Sequence, residues 1–464
     1  WIFNFKTNTL TQIGESLPAS SLMFAKFSPD GNTIAYVHEN NLYSENYVSG
    51  KISPLTTNGT VSFINGTFDW AYEEEFGLTD GFRWSPDSKS IAYWQIDASE
   101  IKKFNMVNNT DAIYSQLIPL DYPKVGEKPS ACKVGVVKLS NAKTTWMNIP
   151  GNASQNYLVR MEFIPKTNKL LIKQLNRKQN KSTLYIADVL KGTTKNIYEE
   201  SDEAWIEQYP NFTFLEKKNS ILWWSEKDGW RHLYKVSLEG KPMVQITKGE
   251  YDVIDIQHIN SKEGYVYYLA SPNNATQKYL YKTKLNGKGE KELLSPESLK
   301  GTHNYSFSSN GRYAEHTFTN HYTPKTAEFI TVADQKALSA EESIVLNINK
   351  LEEEKTTEFF TITTADNIEM DGWMVKPSNF DPTKKYPVLF FVYGEPFWST
   401  VQDKYNVSRN SFYFYNGNMA EDGYVYISLD NRGTPAPKGR EWRKSIYRKL
   451  GVVNINDQAM AAKE

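Results

Sequence analysis

Cysteine is nearly absent: Cys132 is the only one in 464 residues. No intrachain disulfide can form, which argues against an animal secreted ectodomain and leaves a cytosolic protein or an exported bacterial one. Net charge is also lacking. The 53 basic and 54 acidic residues give a formal charge of −1, so no field steers nucleic acid or an anionic membrane. No apolar run approaches the roughly 18 residues of a membrane helix, and no membrane insertion is expected. Metal-ligand spacings, Gly-rich phosphate loops and basic recognition stripes are missing as well, so no cofactor, metal or nucleic acid is expected. A signal peptide is not visible. Trp1-Ile2-Phe3-Asn4-Phe5 reads as the middle of a strand with no initiator Met, so the front end is expected to be cut. Nine Asn-x-Ser/Thr sequons (Asn58, Asn65, Asn108, Asn152, Asn180, Asn211, Asn274, Asn304, Asn406) matter only in a eukaryotic secretory pathway and are read as chance.

Aromatic residues are plentiful, at 14% of the chain, and favour strands over helices. The length exceeds one ordinary core, so several domains or a large repeat array are expected. A repeat is present. Phe27-Ser28-Pro29-Asp30-Gly31-Asn32-Thr33-Ile34-Ala35-Tyr36 is echoed by Trp84-Ser85-Pro86-Asp87-Ser88-Lys89-Ser90-Ile91-Ala92-Tyr93 and by Phe307-Ser308-Ser309-Asn310-Gly311-Arg312-Tyr313. Weaker copies begin at Phe163 and at Phe214, the latter running through Glu216-Lys217-Lys218-Asn219. Each copy reads as a hairpin: an aromatic closes one strand, Pro-Asp-Gly turns, and Ile-Ala-Tyr opens the next. Irregular spacings on the order of 50 residues approach the length of a four-stranded propeller blade. A sandwich array is the alternative, but hairpins without helical segments favour a propeller. Asn41–Tyr43, Thr183–Ala187, His232–Val236 and Tyr265–Leu269 read as further blade strands.

Near residue 355 the pattern changes. Phe359–Thr363 and Met370–Val375 form a hairpin, and Tyr386–Tyr393 is a continuous apolar strand of the kind a parallel sheet needs. Tyr424–Asp430 is another strand, and Arg440–Leu450 and Asn454–Lys463 are expected as helices. The fold expected is therefore mainly β. A multi-bladed β-propeller over 1–354, incomplete at its N-terminus, precedes the N-terminal part of an α/β-hydrolase domain over 355–464.

The chemistry concentrates in Asp69-Trp70-Ala71-Tyr72-Glu73-Glu74-Glu75-Phe76, inserted between the first two repeat copies. Adjacent carboxylates on a short helical turn can hold an ammonium group by charge-assisted hydrogen bonds, though on composition alone a solvated acidic turn reads as well. Tyr393-Gly394-Glu395-Pro396 follows a buried strand, and Asp430-Asn431-Arg432-Gly433-Thr434 follows the next. Asp-Trp-x-Tyr-Glu-Glu-Glu resembles the signature of the dipeptidyl peptidase IV family, whose second and third Glu grip the free amino terminus of a peptide. The matched positions are Glu74 and Glu75. The Tyr-Gly-x-Pro turn resembles that of the prolyl oligopeptidase superfamily of serine peptidases. There the tyrosine donates to the oxyanion, so the match is Tyr393; Glu395 departs from the commoner glycine. Asp430 and Arg432 match a loop-shaping segment, and Lys449-Leu450-Gly451 with Asp457-Gln458 matches the approach to the nucleophile. The resemblance places Trp205 and Tyr209 near an extended pocket, one residue off the family spacing. The arginine that the family uses on the substrate carbonyl has no counterpart here, since Ser16 stands at its place.

One element is missing. No Gly-x-Ser-x-Gly elbow occurs in the sequence, and the Asp and His of a triad would follow it in this fold. The six histidines (His38, His232, His258, His303, His316, His321) all precede the hydrolase segment and are read as structural. The resemblance thus implies a serine exopeptidase that releases N-terminal dipeptides, Xaa-Pro or Xaa-Ala, with its catalytic Ser, Asp and His beyond residue 464. A non-catalytic propeller interaction protein and a tripeptidyl or endopeptidase relative stay open. The implied partners are peptides with a free N-terminus and a second copy of the full-length protein. The implied location is the bacterial periplasm or exterior.

Overall fold

The computed structural model describes residues 1–18, 20–209, 212–215, 219–348, 357–405 and 417–464. Two compact units divide the chain, Trp1–Phe214 with Leu238–Gly240, and Leu215–Ser237 with Lys241–Glu464. The change of pattern expected near residue 355, the residues Glu216–Lys218 of one weak repeat, and the sequons at Asn211 and Asn406 lie outside the described residues.

In the first unit Met23–Phe27, Thr33–His38, Asn41–Asn46 and Lys51–Pro54 form an antiparallel sheet in chain order. The repeat motif makes its first hairpin as expected. Gly31 sits at φ 75°, Gly31 N donates to Ser28 O at 2.8 Å, and Ser28 N donates to Thr33 O at 2.7 Å. Asn156–Phe163, Lys169–Asn176, Lys181–Asp188 and Thr194–Ser201 repeat the arrangement. Between them lies a five-stranded sheet built on Ser90–Asp97, which pairs with Phe63–Asn65, Phe82–Trp84 and Ala131–Lys138, with Thr144–Trp146 outside. Central strands are buried on both faces: Ile34, Ala35, Tyr36 and Val37 are all at most 2% exposed. A half-solvated sheet would alternate instead, so each sheet packs on both sides, as blades do. A two-stranded ribbon, Lys103–Asn108 with Gln116–Asp121, extends from the five-stranded sheet with its apolar residues exposed.

The second unit repeats the four-stranded antiparallel arrangement, though its strand Tyr313–Thr319 alternates between buried and more exposed residues. Val253–Asn260, Tyr265–Ala270, Tyr279–Lys284 and Glu292–Leu293 form one antiparallel sheet, and Thr302–Phe307, Tyr313–Thr319, Thr326–Thr331 and Lys336–Ala337 another. Within the latter, His303 Nδ1 and His316 Nε2 are hydrogen-bonded at 2.9 Å, and His316 Nδ1 faces Glu328 at 2.8 Å. Burial lowers His303 to about 3. The final sheet differs: its order is Thr357–Thr363, Glu369–Val375, Val425–Leu429, Val388–Phe391, with the last two parallel.

Two expectations are corrected here. The apolar run Tyr386–Tyr393 gives a strand only over Val388–Phe391, and its side chains are half-buried or exposed. Among the described residues it pairs with Val425–Leu429, in parallel, as expected of this kind of strand. The helix expected over Arg440–Leu450 stops at Lys444. Ser445 Oγ donates back to Trp442 O at 2.8 Å, and the chain turns so that Ile446 lies against Gly433, where any Cβ would meet it at 2.6 Å. The second helix, Val453–Ala461, forms where expected.

Buried charges fasten the helix Gly439–Lys444 to the blade hairpins of its own unit. Arg443 donates to Asp252 and Glu226, Gly439 N donates to Asp252 at 2.8 Å, and Lys444 Nζ lies 2.7 Å from Glu226. Asp252 also takes the Arg231 N–H at 2.7 Å, which extends the anchor into the strand that begins at His232.

Candidate functional site

The acidic motif folds into one helix, Trp70–Phe76. Seven residues do not hold a helix in water, so its ends and its buried face must do so. Asp69 is the N-cap: its Oδ1 accepts from Tyr72 N at 3.1 Å, while Oδ2 accepts from the Ser130 hydroxyl at 2.7 Å. Burial raises the Asp69 carboxyl above its ordinary range, against the pull of these donors. Gly77 closes the C-terminus at φ 61°, giving its N–H to Glu73 O at 3.0 Å, and Leu78 N reaches Tyr72 O at 3.3 Å.

The spacing of Tyr72 and Phe76 puts both on one face. Tyr72 is fully buried, its ring 5.5 Å from Phe68, 5.5 Å from Phe76 and 5.8 Å from Tyr157, and its hydroxyl accepts from Leu158 N at 3.3 Å. Burial drives the Tyr72 phenol well up, and the neighbouring Cys132 thiol to about 12, so both are neutral packing groups. With that face fixed, Glu73, Glu74 and Glu75 turn to solvent. Glu73 is raised by partial burial and then by the charge of Asp69. Among the described residues no cation pairs with Glu74 or Glu75. Glu75 Oε1 accepts from Gln179 Nε2, and Glu74 has no side-chain partner among the described residues. The arrangement presents two adjacent, unneutralised carboxylates on a rigid, capped platform.

Trp205 and Tyr209 are half-buried in the same unit; Trp205 Nε1 donates to Glu207 at 2.9 Å. Ser16 is exposed in a turn. In the second unit Tyr393 follows the strand Val388–Phe391, half-buried, its ring 5.6 Å from Trp398. Its hydroxyl has no protein partner among the described residues and is free to donate elsewhere. The next turn is built by Gly394 at φ 73°, whose carbonyl accepts from Asn431 Nδ2 at 3.2 Å. Glu395 is exposed and not at positive φ, so its departure from glycine strains nothing.

Asp430 and Arg432 shape this loop. Asp430 is buried and collects the Ser399 hydroxyl, Thr400 N at 2.9 Å, Thr400 Oγ1 at 3.0 Å and Val401 N at 3.3 Å. Arg432 grips Asp457 with Nε at 3.1 Å and Nη2 at 2.6 Å, joining the strand end to the helix Val453–Ala461. Sequence reasoning passed over four contributors: Asp69, Ser130, Gln179 and Asp457 as the partner of Arg432. Asp69 carried a local signal, an acid three residues before the N–H it caps.

Strand makes up 41% of the described residues and helix 6%, and the blade sheets precede a hydrolase sheet. That order defines a scaffold of the prolyl oligopeptidase superfamily, a mainly β propeller followed by α/β-hydrolase elements. The family model for the dipeptidyl peptidase IV N-terminal region matches residues 1–325, and that for the prolyl oligopeptidase family matches 410–464. The chain belongs to the dipeptidyl peptidase IV family. It is 28% identical over 480 residues to dipeptidyl peptidase 4 of Trichophyton rubrum, covering 100% of this chain and 61% of that protein. The crystal structure of Porphyromonas gingivalis dipeptidyl peptidase 4 superposes with TM-score 0.85 at 30% identity, over 95% of this chain and 62% of the other. A putative dipeptidyl aminopeptidase IV from Bacteroides ovatus shares the fold, with TM-score 0.80 at 24% identity over 99% of this chain and 65% of its own length. The chain thus spans about 61% of the length of its curated relatives.

Proposed function

We propose that the protein is a serine exopeptidase that releases N-terminal dipeptides of the Xaa-Pro or Xaa-Ala type. One observation carries this reading: Glu74 and Glu75 stand side by side on the capped helix, exposed and without a cationic partner among the described residues. A substrate ammonium supplies the countercharge that both carboxylates lack among the described residues, through charge-assisted hydrogen bonds that fix where the peptide begins. Anchoring the amino terminus makes the site a ruler: only the bond after the second residue reaches the nucleophile. Tyr393 donates its hydroxyl to the oxyanion of the tetrahedral intermediate, a neutral donor of the kind whose removal costs about 3–4 kcal/mol of barrier. Trp205 and Tyr209 line the extended part of the pocket. The serine elbow, with its Asp and His, lies in the part of the relatives' length that this chain does not span.

The same reading makes it an exported bacterial enzyme of the periplasm that works as a homodimer. The single cysteine fits that location. No described helix is long and apolar enough to cross a membrane. The test is turnover of Gly-Pro amide against its N-acetylated form by the full-length protein. Cleavage of the free amine alone is expected. Equal turnover of both refutes the role of the glutamate pair, and turnover of neither refutes the peptidase and favours a propeller that only binds.

A further inference from the structure

Gln179 closes the hairpin between Lys169–Asn176 and Lys181–Asp188, and it sits at φ 56°, a conformation that non-glycine residues adopt at a cost. The turn is held from several sides. Asn176 Oδ1 accepts from Asn180 N and Lys181 N, each at 3.0 Å, and Gln179 N donates to Asn176 O at 2.9 Å. Arg177 donates to the Tyr157 hydroxyl and, at 3.1 Å, to Glu127 O. Tyr157 in turn packs 5.0 Å from Phe76 of the acidic helix. From this fixed turn Gln179 reaches two ways. Its side-chain amide donates to Glu75 Oε1, and its backbone carbonyl accepts from Ile206 N at 2.9 Å, the residue after Trp205.

We propose that Gln179 is the positioning residue of the ammonium grip: it fixes Glu75 by one carboxylate oxygen and registers it against the segment carrying Trp205. This rests on the reading of Glu74 and Glu75 given above. The chemistry of an amide suits the task. An exposed glutamate side chain is mobile, and ordering it only when substrate arrives subtracts from affinity. A neutral donor removes that mobility and leaves the negative charge, and the second oxygen, for the incoming ammonium. A lysine or arginine at 179 would order Glu75 equally well but would compete with the substrate for its charge.

The test uses the full-length enzyme, Gly-Pro amide, and the variants Gln179→Asn, Gln179→Lys, Glu75→Gln and Glu75→Gln with Gln179→Asn. Asparagine tolerates the left-handed turn but is one methylene too short to reach Glu75, so the backbone is spared. Gln179→Asn should raise KM about fivefold with kcat unchanged, the size expected when one rotamer-rich side chain must be ordered on binding instead of beforehand. Gln179→Lys should raise KM further, and salt should partly relieve the effect as it screens the competing charge. In the Glu75→Gln background, Gln179→Asn should change nothing more. If Glu75→Gln alone leaves KM unmoved, the ammonium reading fails and the proposal with it. If Glu75→Gln raises KM while Gln179→Asn has no effect, lowers kcat instead, or acts equally in both backgrounds, the positioning role is overturned and the ammonium reading stands.

Discussion

Replacing Arg443 by methionine isolates the electrostatic anchor of the hydrolase segment. The side chain volume is roughly kept, but the guanidinium between Asp252 and Glu226 is gone. Both carboxylates are buried, at 1% and 5% exposure. Removing one partner of a buried ion pair costs about 3–5 kcal/mol, because the other charge is left uncompensated. Here the lower end applies: Asp252 keeps the N–H groups of Arg231 and Gly439, and Glu226 keeps Lys444. For a unit of this size about 3 kcal/mol corresponds to a Tm decrease of roughly 6–12 °C. The pH dependence gives a second, independent signature. In the native protein burial pushes Glu226 up, but Arg443 and Lys444 outweigh it and hold the carboxyl below its ordinary value. A depressed folded value contributes stability that is present above the unfolded value, about 4.3, and is lost as pH falls through the folded one. Without Arg443, burial gains the upper hand, the folded value rises, and protonation begins to help rather than hurt. Thermal scans at fixed rate should therefore show the largest Tm difference near pH 7 and a smaller one toward pH 4. A difference below about 2 °C at pH 7, or one that does not shrink on acidification, would refute the argument.

Three further perturbations probe the site, each in the full-length enzyme. Tyr393→Phe should lower kcat on Gly-Pro amide by about 100- to 1000-fold with KM nearly unchanged, since an oxyanion donor acts only in the transition state; a change confined to KM would remove Tyr393 from that role. Glu74→Gln should reduce kcat/KM about 10- to 100-fold, the range for one hydrogen bond to a charged group, and unchanged kinetics would exclude Glu74 from the grip. Gly77→Ala meets no atom within 4 Å, so its cost is the positive φ alone, about 1 kcal/mol. It should loosen the acidic helix and raise KM severalfold, and a variant with native KM would show that the helix does not depend on its C-cap.

What the sequence made legible was local. Pro29-Asp30-Gly31 announces a hairpin because its backbone demands are met within four residues, and the structure turns there. Tyr72 and Phe76 announce the buried face of the acidic helix because four residues make one turn, and with that face assigned the three glutamates have nowhere to point but outward. What could not be read is everything that depends on a partner far along the chain. Asp69 is completed by Ser130, 61 residues away, Glu75 by Gln179, 104 residues away, and Arg443 by Asp252, 191 residues away. Nothing in the composition near any of these residues names its partner; the sheets bring them together.

The run Tyr386–Tyr393 shows the same limit from the other side. Its apolar residues predict one continuous strand of a parallel sheet; the parallel pairing forms, but only over Val388–Phe391, and Tyr393 lies beyond its end. Tyr393 lies two residues past the end of Val388–Phe391, so the strand's own pairing does not fix its side chain. The rigidity comes instead from Asp430, a buried carboxylate that spends its oxygens on Ser399, Thr400 and Val401 and thereby pins the loop that returns from Tyr393. Asp430→Asn would keep the shape, but its amide presents only one acceptor oxygen where the carboxylate presents two. If the loop is what aims Tyr393, that variant should lower kcat more than it raises KM and should add little in a Tyr393→Phe background. Additive losses in the double variant would mean that Asp430 acts on some other part of the site.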